Sequence, residues 1–197
     1  MISAIILAAG QSRRMGRPKM LLPWKDTTIL GQVITTLGDA DLKDILVITG
    51  AERTRIEGLL LAYRDKYPVR SQHNSGYAQN EMLASLQLGL SDLHPTTKAA
   101  LVVLGDQPQI QAETISLIQR TYRNKKSKLI VPSYRMRRGH PWLIDNSLWD
   151  EFLSLGLEET PRDFLNSHND LIEYINVETA SILQDIDYPE DYQRYQK

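Results

Sequence analysis

One short loop carries the residue types that phosphate chemistry needs. Residues 7–19 read LAAGQSRRMGRPK and place four cations within seven positions, namely Arg13, Arg14, Arg17 and Lys19. Gly10 and Gly16 let the backbone approach a ligand closely, so that successive N–H groups can surround phosphate oxygens. The spacing fits neither the P-loop nor the dinucleotide fingerprint G-x-G-x-x-G. The loop therefore allows two interpretations, a phosphate site and a solvated basic turn.

Three later carboxylates, in two segments of the chain, could hold a divalent cation. Asp106 comes two residues after an apolar run, and Asp185 and Asp187 alternate, so that on an extended segment both face one side. Mg²⁺ in proteins takes one or two carboxylates and completes its shell with water and phosphate oxygens. Other roles stay open, since Asp106 precedes Gln-Pro as a turn residue does, and either later carboxylate could cap the helix that Pro189 opens.

The cysteine and histidine patterns exclude several other kinds of chemistry. The chain has no cysteine, which rules out disulfides, thiolate catalysis and iron–sulfur clusters. Its four histidines, at positions 73, 94, 140 and 168, are too scattered for a zinc site, and no nucleophile elbow accompanies them. A single His before Pro, as at His140, is more often a hydrogen-bonded surface residue than a catalyst. Hydrolase chemistry is therefore disfavoured.

Alternating strand and helix patterns would position these residues. Three apolar runs predict buried parallel strands, at residues 3–8, 45–49 and 99–104. Helical spacing follows the first two runs, and Thr27 or Thr28 is placed to cap the first helix. The cationic loop and Asp106 then both follow strand carboxyl ends, where open α/β sheets bind ligands.

The last third of the chain has a less regular pattern. A strand at residues 128–131 is expected to end at Pro132, and a basic loop occupies residues 135–141. The pattern predicts a strand at residues 170–177, before a terminal helix that Pro189 opens. No repeat or Gly/Ser linker interrupts the chain, so we expect one domain over residues 1–197.

Composition and charge favour a globular protein that binds a small anion. Of the 197 residues, 42% are hydrophobic and 24% are charged, as in ordinary globular proteins. No apolar run is long enough for a membrane span or a signal peptide, so we expect a soluble, cytoplasmic protein. The net charge of −1 recruits neither nucleic acid nor membrane, but residues 1–149 carry 20 Lys and Arg against 12 Asp and Glu. That basic part suits an anionic small substrate.

Four ordered motifs resemble one known family. Beside LAAGQSRRMGRPK, the chain contains LGDQP at residues 104–108, RGHP at 138–141 and DIDYPED at 185–191. Together they resemble the MobA-like nucleotidyltransferases, in particular the molybdenum cofactor cytidylyltransferases. The resemblance covers nearly the whole chain. It implies a three-layer α/β fold with a mostly parallel sheet, of the Rossmann-like nucleotide-diphospho-sugar transferase kind.

The resemblance also implies roles for individual residues. Arg14 and Lys19 would be catalytic. The nucleotide would contact Leu7, Ala8, Ala9, Gly10, Ser12, Arg13, Gly16, Asn74 and Ser85. Mg²⁺ would bind Asp106 with Asp187 as the preferred partner and Asp185 as the second choice. The acceptor would face Arg138, Gly139 and His140.

The activity that the resemblance implies is nucleotidyl transfer. A nucleoside monophosphate, preferably CMP from CTP because of the Leu-Ala-Ala-Gly sequence, would move to a phosphorylated acceptor such as a molybdopterin-type cofactor, with release of pyrophosphate. A molybdoenzyme could be a partner. The alternatives are a sugar-phosphate nucleotidylyltransferase and a catalytically silent nucleotide-binding or cofactor-delivery module. Departures from the family at residues 80–82 and 159–163 motivate the silent alternative.

Overall fold

The computed structural model describes residues 1–78, 81–156 and 158–196, with the side chain of Glu81 left out. Within these residues the strands are β1 Ile2–Ala8, β2 Pro23–Trp24, β3 Thr27–Thr28, β4 Ile45–Thr49, β5 Val69–His73, β6 Ala99–Leu104, β7 Leu129–Tyr134, β8 Arg137–Arg138, β9 Trp142–Asp145 and β10 Ile172–Asn176. The helices are α1 Ile29–Asp39, α2 Arg53–Leu61, α3 Glu81–Ser91, α4 Ala112–Lys125, α5 Trp149–Leu153, α6 Pro161–Ser167 and α7 Pro189–Tyr195.

The main sheet is mostly parallel, as predicted. Its strand order is β10-β7-β9-β6-β1-β4-β5, and β8 pairs with β7 outside this path. The neighbours β5, β4, β1 and β6 pair in parallel, whereas β9 lies antiparallel between β6 and β7. The carboxyl ends of β1 and β6 therefore meet at one edge of the sheet.

Helices cover both faces of the sheet and complete the predicted three layers. One core joins inward residues of β1, β4 and β6 to α1, α2 and α4. The opposite core joins the other faces of those strands to α3, α5 and α6. Thr28 caps α1 by accepting a hydrogen bond from the Gly31 amide, as one of the two predicted caps. Within the described residues, no helix has the length and apolar character that crossing a membrane requires.

Strand β7 differs from the prediction because it continues through Pro132 to Tyr134. Pro132 pairs in register with Ile175 of β10, and its carbonyl accepts a hydrogen bond of 2.9 Å from the Gly139 amide. On that side of β7, pairing with β9 has already ended at Ile130. The missing N–H of proline therefore interrupts no ladder there.

A small third core fastens the end of the chain to the cationic loop. Its buried members come from both segments and include Met15, Trp24, Ile186 and Tyr192. The Tyr192 hydroxyl donates a hydrogen bond of 2.6 Å to the Pro23 carbonyl. This contact brings residues 185–191 beside the loop after β1, although more than 160 positions of sequence separate the two.

Candidate active site

The loop after β1 turns Lys19 inward and leaves its arginines outside. Ser12 and Gly16 adopt left-handed backbone conformations, with φ of 51° and 64°, which reverse the chain around the short turn at Arg13–Met15. The Lys19 amide donates to the Ser12 hydroxyl at 3.2 Å. As a result Lys19 is buried, with 8% of the residue exposed, while Arg13 and Arg14 lie at the surface.

Lys19 joins two carboxylates from distant parts of the chain. Its ammonium donates to Asp106 Oδ2 at 2.5 Å and to Asp187 Oδ1 at 2.8 Å. Asp106 is held at the end of β6, where the Gly105 amide bonds the Leu7 carbonyl at 3.1 Å and the Asp106 carbonyl accepts from the Ile186 amide at 3.1 Å. The strand ends and the third core thus set the geometry of this ion pair.

Asp187 is fixed from two further sides. Arg14 donates to Asp187 Oδ2 at 3.2 Å, and its guanidinium also lies 5.5 Å from the Tyr188 ring centroid. The amides of Asp187 and Tyr188 both donate to Asp191 Oδ2, at 3.2 Å and 2.9 Å. Asp191 was not predicted as a site residue, although an acidic side chain three positions after a helix N-cap is a sequence signal for a carboxylate that accepts from the N-cap amide. We call Arg14, Lys19, Asp106 and Asp187 the ion-pair cluster.

Burial and neighbouring charges shift the pKa values of three members of the cluster. Burial opposes the charge on Lys19, but its two carboxylate partners outweigh that effect and raise the pKa of Lys19. Burial, together with the like charges of Asp185 and Asp187, raises the pKa of Asp106 despite its bond to Lys19. Burial also works against the charge of Asp187, yet Lys19 and Arg14 lower its pKa overall. With Asp185 counted beside the cluster, three carboxylates face the two cations Lys19 and Arg14, and this excess of one negative charge favours binding of an additional cation.

Asp106 and Asp187 are the pair that fits a divalent cation. Both present oxygens to one point, which Lys19 occupies, and Mg²⁺ needs no more than one or two protein carboxylates. The Asp185 carboxylate accepts a hydrogen bond from the buried Gln107 side chain. Among the described residues, no group of three or more His, Cys, Asp or Glu is arranged to hold a metal. The residues present thus suit a metal that shares its shell with phosphate oxygens.

Two connected clefts surround the ion-pair cluster. The loop cleft, of about 340 Å³, is lined by Gly10, Gln11, Ser12, Arg13, Arg14, Lys19 and Asp187. The carboxylate cleft, of about 260 Å³, is lined by Leu7, Ala9, Gly10, Lys19, Met20, Met82, Ser85, Leu104, Asp106, Asp185 and Asp187. Most residues predicted to contact the nucleotide line one of the two.

Three of the predicted nucleotide contacts lie elsewhere. The Ala8 side chain packs in the core under α1, on the face of β1 opposite to Ala9. Asn74 is buried and donates to the Ser85 hydroxyl at 3.0 Å, so it positions a cleft residue from behind. Gly16 lines neither cleft among the described lining residues, and its left-handed conformation closes the turn at Arg13–Met15.

A third and larger concavity contains the residues predicted for the acceptor. This arginine pocket, of about 610 Å³, is lined by Met82, Val131, Met136, Arg137, Arg138, Gly139, His140, Trp142, Pro161, Arg162, Leu165 and Asn166. The described lining residues include three arginines and no carboxylate. Met82 also lines the carboxylate cleft, so the pocket adjoins the ion-pair cluster.

Neutral groups hold the central arginine of this pocket. Arg138 donates to Asn166 Oδ1 at 2.8 Å and to Asn169 Oδ1 at 2.6 Å, and it lies 5.4 Å from the Tyr174 ring centroid. In the part of the chain that the structure describes, no ion pair involves Arg137, Arg138 or Arg162. Their charge is therefore available to an anionic ligand.

Gly139 and His140 connect the pocket to the segment before Asp185. A Cβ at Gly139 would overlap the Ile182 carbonyl, so glycine is required where these two segments of the chain cross. The His140 amide donates to that same carbonyl at 3.0 Å. Burial lowers the pKa of His140 to about 4, although the nearby Asp106 charge opposes the effect. The imidazole is therefore neutral at neutral pH.

Of the two segments that depart from the family pattern, the structure fully describes only the second, residues 159–163. Gln79 and Asn80 lie outside the described residues, as does the Glu81 side chain. At residues 159–163, Thr160 caps α6 by accepting from the Asp163 amide at 3.2 Å, and Asp163 accepts in return from the Thr160 amide at 3.0 Å. This helix start delivers Arg162 to the arginine pocket. Sequence reasoning missed Arg162, Asn166 and Asn169 because their placement depends on how α6 and the short turn after it pack.

Comparisons with known proteins agree with this architecture. The family model described as a MobA-like NTP transferase domain matches residues 4–171. The chain is 27% identical to the molybdenum cofactor cytidylyltransferase of Escherichia coli K12, over 97% of this chain and 93% of that one. It is also 27% identical to the nicotine blue oxidoreductase of Paenarthrobacter nicotinovorans, over 98% and 95%.

A solved structure from Mycobacterium tuberculosis H37Rv has the same fold. Rv0371c is 26% identical and superimposes with a TM-score of 0.83, over 98% of this chain and 95% of that one. A second structure of Rv0371c, in complex with manganese, gives a TM-score of 0.79 at 25% identity, over 98% and 96%. The fold is that of nucleotidyltransferases of the nucleotide-diphospho-sugar transferase kind.

Proposed function

The chain belongs to the MobA-like NTP transferase family, and from this premise we propose that it transfers a nucleoside monophosphate, preferably CMP from CTP, to a phosphorylated acceptor and releases pyrophosphate. One observation carries the proposal. A buried lysine joins two carboxylates beside a glycine-containing cationic loop, and a carboxylate-free arginine pocket adjoins them.

Sequence similarity by itself does not choose the reaction. The two relatives that match over nearly the full length are named for a cytidylyl transfer and for an oxidoreduction, at equal identity. The choice therefore depends on the site. A loop cleft with Arg13, Arg14 and Lys19 and a separate pocket with three more arginines suit two anionic substrates. This supports transfer between phosphates.

The residues of the loop cleft would bind and orient the triphosphate. Gly10 leaves the backbone open, since a Cβ there would meet no atom within 4 Å. Arg13, Arg14 and Lys19 would neutralise the phosphate oxygens, on which charge increases during in-line attack. Mg²⁺ held by Asp106 and Asp187 would supply Lewis-acid stabilisation of that charge. Catalysis would thus consist of positioning and electrostatic stabilisation.

The acceptor phosphate would supply the attacking oxygen. Because a phosphate is already anionic, the reaction needs no strong general base. A neutral His140 beside the pocket agrees with this, since a group with a pKa of about 4 is a weak base at neutral pH. Arg138 would hold the acceptor, because its two amide partners fix the guanidinium without cancelling its charge.

The shape and chemistry of the arginine pocket support a phosphorylated heterocycle as acceptor. Trp142, Leu165 and Met82 provide apolar walls, while the arginines provide the anion contacts. A molybdopterin-type cofactor has both properties, and we prefer it on the family resemblance. We then propose a molybdoenzyme as the partner that receives the product, and a cytoplasmic location, where NTPs and Mg²⁺ are available.

A pyrophosphate assay separates the proposal from its competitors. Pure protein is incubated with Mg²⁺, each NTP in turn, and either molybdopterin or a set of sugar 1-phosphates. We expect release of pyrophosphate that requires CTP and molybdopterin together. Release with a sugar phosphate would identify a sugar-phosphate nucleotidylyltransferase. Tight CTP binding without pyrophosphate release under any condition would identify a silent nucleotide-binding or cofactor-delivery module and refute the proposal.

A further inference from the structure

The Lys19 ammonium lies where its two carboxylate partners converge. It contacts Asp106 Oδ2 at 2.5 Å and Asp187 Oδ1 at 2.8 Å. The lysine and Asp106 side chains are largely buried, with 10% and 16% of their surfaces exposed. Because water screens this pair little, the attraction between the two charges is greater than in a surface ion pair. Lys19 is thus a counter-ion of both carboxylates, and Arg14 is a second counter-ion of Asp187.

A divalent cation and this ammonium would compete for the same oxygens. The oxygens that Lys19 bonds belong to the two carboxylates that suit a divalent cation, and two positive charges within a few ångströms repel each other. We propose that Lys19 is an internal competitor that weakens the binding of a divalent cation to Asp106 and Asp187 until a triphosphate draws its ammonium away. This inference rests on the proposed function for the identity of the triphosphate. Metal and nucleotide would then each strengthen the binding of the other.

The loop gives Lys19 the freedom that such an exchange needs. Its backbone is anchored, because the Lys19 amide bonds the Ser12 hydroxyl at 3.2 Å. Only the four-carbon stem must rotate to move the ammonium from the carboxylates into the loop cleft. Lys19 and Asp187 both line that cleft together with Arg13 and Arg14. Phosphate oxygens bound there would give the ammonium new anionic partners in place of the carboxylate oxygens that it leaves.

Removing the competitor should therefore increase metal affinity. Mn²⁺ binding to the metal-free, full-length protein can be measured by electron paramagnetic resonance without any nucleotide. We expect Lys19→Met to bind Mn²⁺ more tightly than the wild type by on the order of tenfold or more. The matched control is Lys43→Met, since Lys43 is an exposed lysine that also pairs with an aspartate, Asp41. The control should bind Mn²⁺ as the wild type does.

A second measurement uses the wild-type protein, so it does not depend on the folding of a variant. Brief acetylation followed by mass spectrometry reports how accessible each lysine amine is. Without metal, Lys19 should be protected and Lys43 labelled. Saturating Mg²⁺ should raise the labelling of Lys19 and leave that of Lys43 unchanged, because the metal displaces the ammonium from its carboxylates.

The outcomes separate this inference from the proposed function. Equal Mn²⁺ affinity of wild type and Lys19→Met, absence of Mn²⁺ binding by both, or Lys19 labelling that Mg²⁺ does not change would each overturn the competition. Tighter Mn²⁺ binding by Lys19→Met supports it even if the wild type transfers no nucleotide. In that case only the proposed function fails.

Discussion

Two cationic regions of this protein differ in whether their positive charges are paired with carboxylates. In the ion-pair cluster, Lys19 and Arg14 are bonded to the carboxylates of Asp106 and Asp187. In the arginine pocket, Arg138 is held by two asparagine side chains and a tyrosine ring. Both arrangements fix a cation in place, but only the second leaves its charge uncompensated.

The difference indicates different tasks for the two regions. A cation bonded to a carboxylate must leave that carboxylate before it can bind an anionic ligand. Because the freed carboxylate can then bind a metal, ligand binding and metal binding are linked. A cation held by amides is ready to bind an anion at once. We therefore expect substitutions in the cluster to affect turnover, and substitutions in the pocket to affect acceptor binding.

Asp106→Asn tests the first half of the comparison and should have the largest effect. The amide keeps the shape of the side chain but loses the charge that would hold Mg²⁺, so kcat should fall by on the order of 10³-fold, with the circular dichroism spectrum unchanged. Asp41→Asn is the matched control, because Asp41 is exposed and has a φ of 63°, which Asn tolerates. Turnover and metal dependence like those of the wild type would remove Asp106 from the site.

Arg138→Gln tests the second half. Losing a hydrogen-bonded cation should raise the KM for the acceptor about 10- to 100-fold, while the KM for CTP stays unchanged. Steady-state kinetics with each substrate varied separately will measure this. Arg64→Gln, at an exposed position on another part of the surface, serves as the control. A change in the CTP constant alone would show that Arg138 faces the donor.

Ala9→Gly tests whether the loop after β1 selects the base of the donor nucleotide as well as contacting its phosphates. The wild type should prefer CTP to GTP, and removing the Ala9 methyl from the carboxylate cleft should raise relative GTP use several-fold. The effect is modest because Gly50 packs directly against the Ala9 backbone and limits its movement. Ala8→Gly is the control, since its methyl lies in the opposite core and should affect stability only. Equal kcat/KM values for CTP and GTP in the wild type contradict the cytidylyl assignment.

His140→Gln should have the smallest effect, on the pH dependence of stability. The pKa of His140 is about 4 when folded and near its ordinary value of 6.5 when unfolded. Between these two pKa values the unfolded chain binds more protons than the folded protein. The contribution of the neutral imidazole to the free energy of unfolding is therefore complete above pH 6.5 and is lost as the pH falls toward about 4. The variant should lose less Tm than the wild type between about pH 7 and pH 5. A pH profile of Tm that is identical in His140→Gln and the wild type would exclude this contribution. His94→Gln, at an exposed histidine, is the control.

Local patterns were sufficient to predict the positions of the main strands and of Asp106. Apolar runs with helical segments between them identify β1, β4 and β6, because buried parallel strands need apolar residues on both faces. The Thr28 cap is likewise a local signal. These features depend on a few neighbouring residues, which is why the sequence alone reveals them.

Contacts between distant segments could not be predicted in the same way. The insertion of β9 between β6 and β7, and the strand that continues through Pro132, depend on which edges the folded sheet leaves open. The sequence placed Lys19 and Asp187 in one site only through the family resemblance. Their direct bond to each other depends on the third core, which joins segments from opposite ends of the chain.

The most direct test of nucleotidyl transfer is ³¹P NMR of the complete reaction with CTP, Mg²⁺ and molybdopterin. The account predicts equal amounts of pyrophosphate and of a new mixed diphosphate, whose two phosphorus signals are coupled because the α-phosphorus has become bonded through oxygen to the acceptor phosphate. The same sample with Asp106→Asn should show CTP and molybdopterin unchanged. Formation of CMP without the mixed diphosphate, or no change in any phosphorus signal with the wild type, would contradict the account.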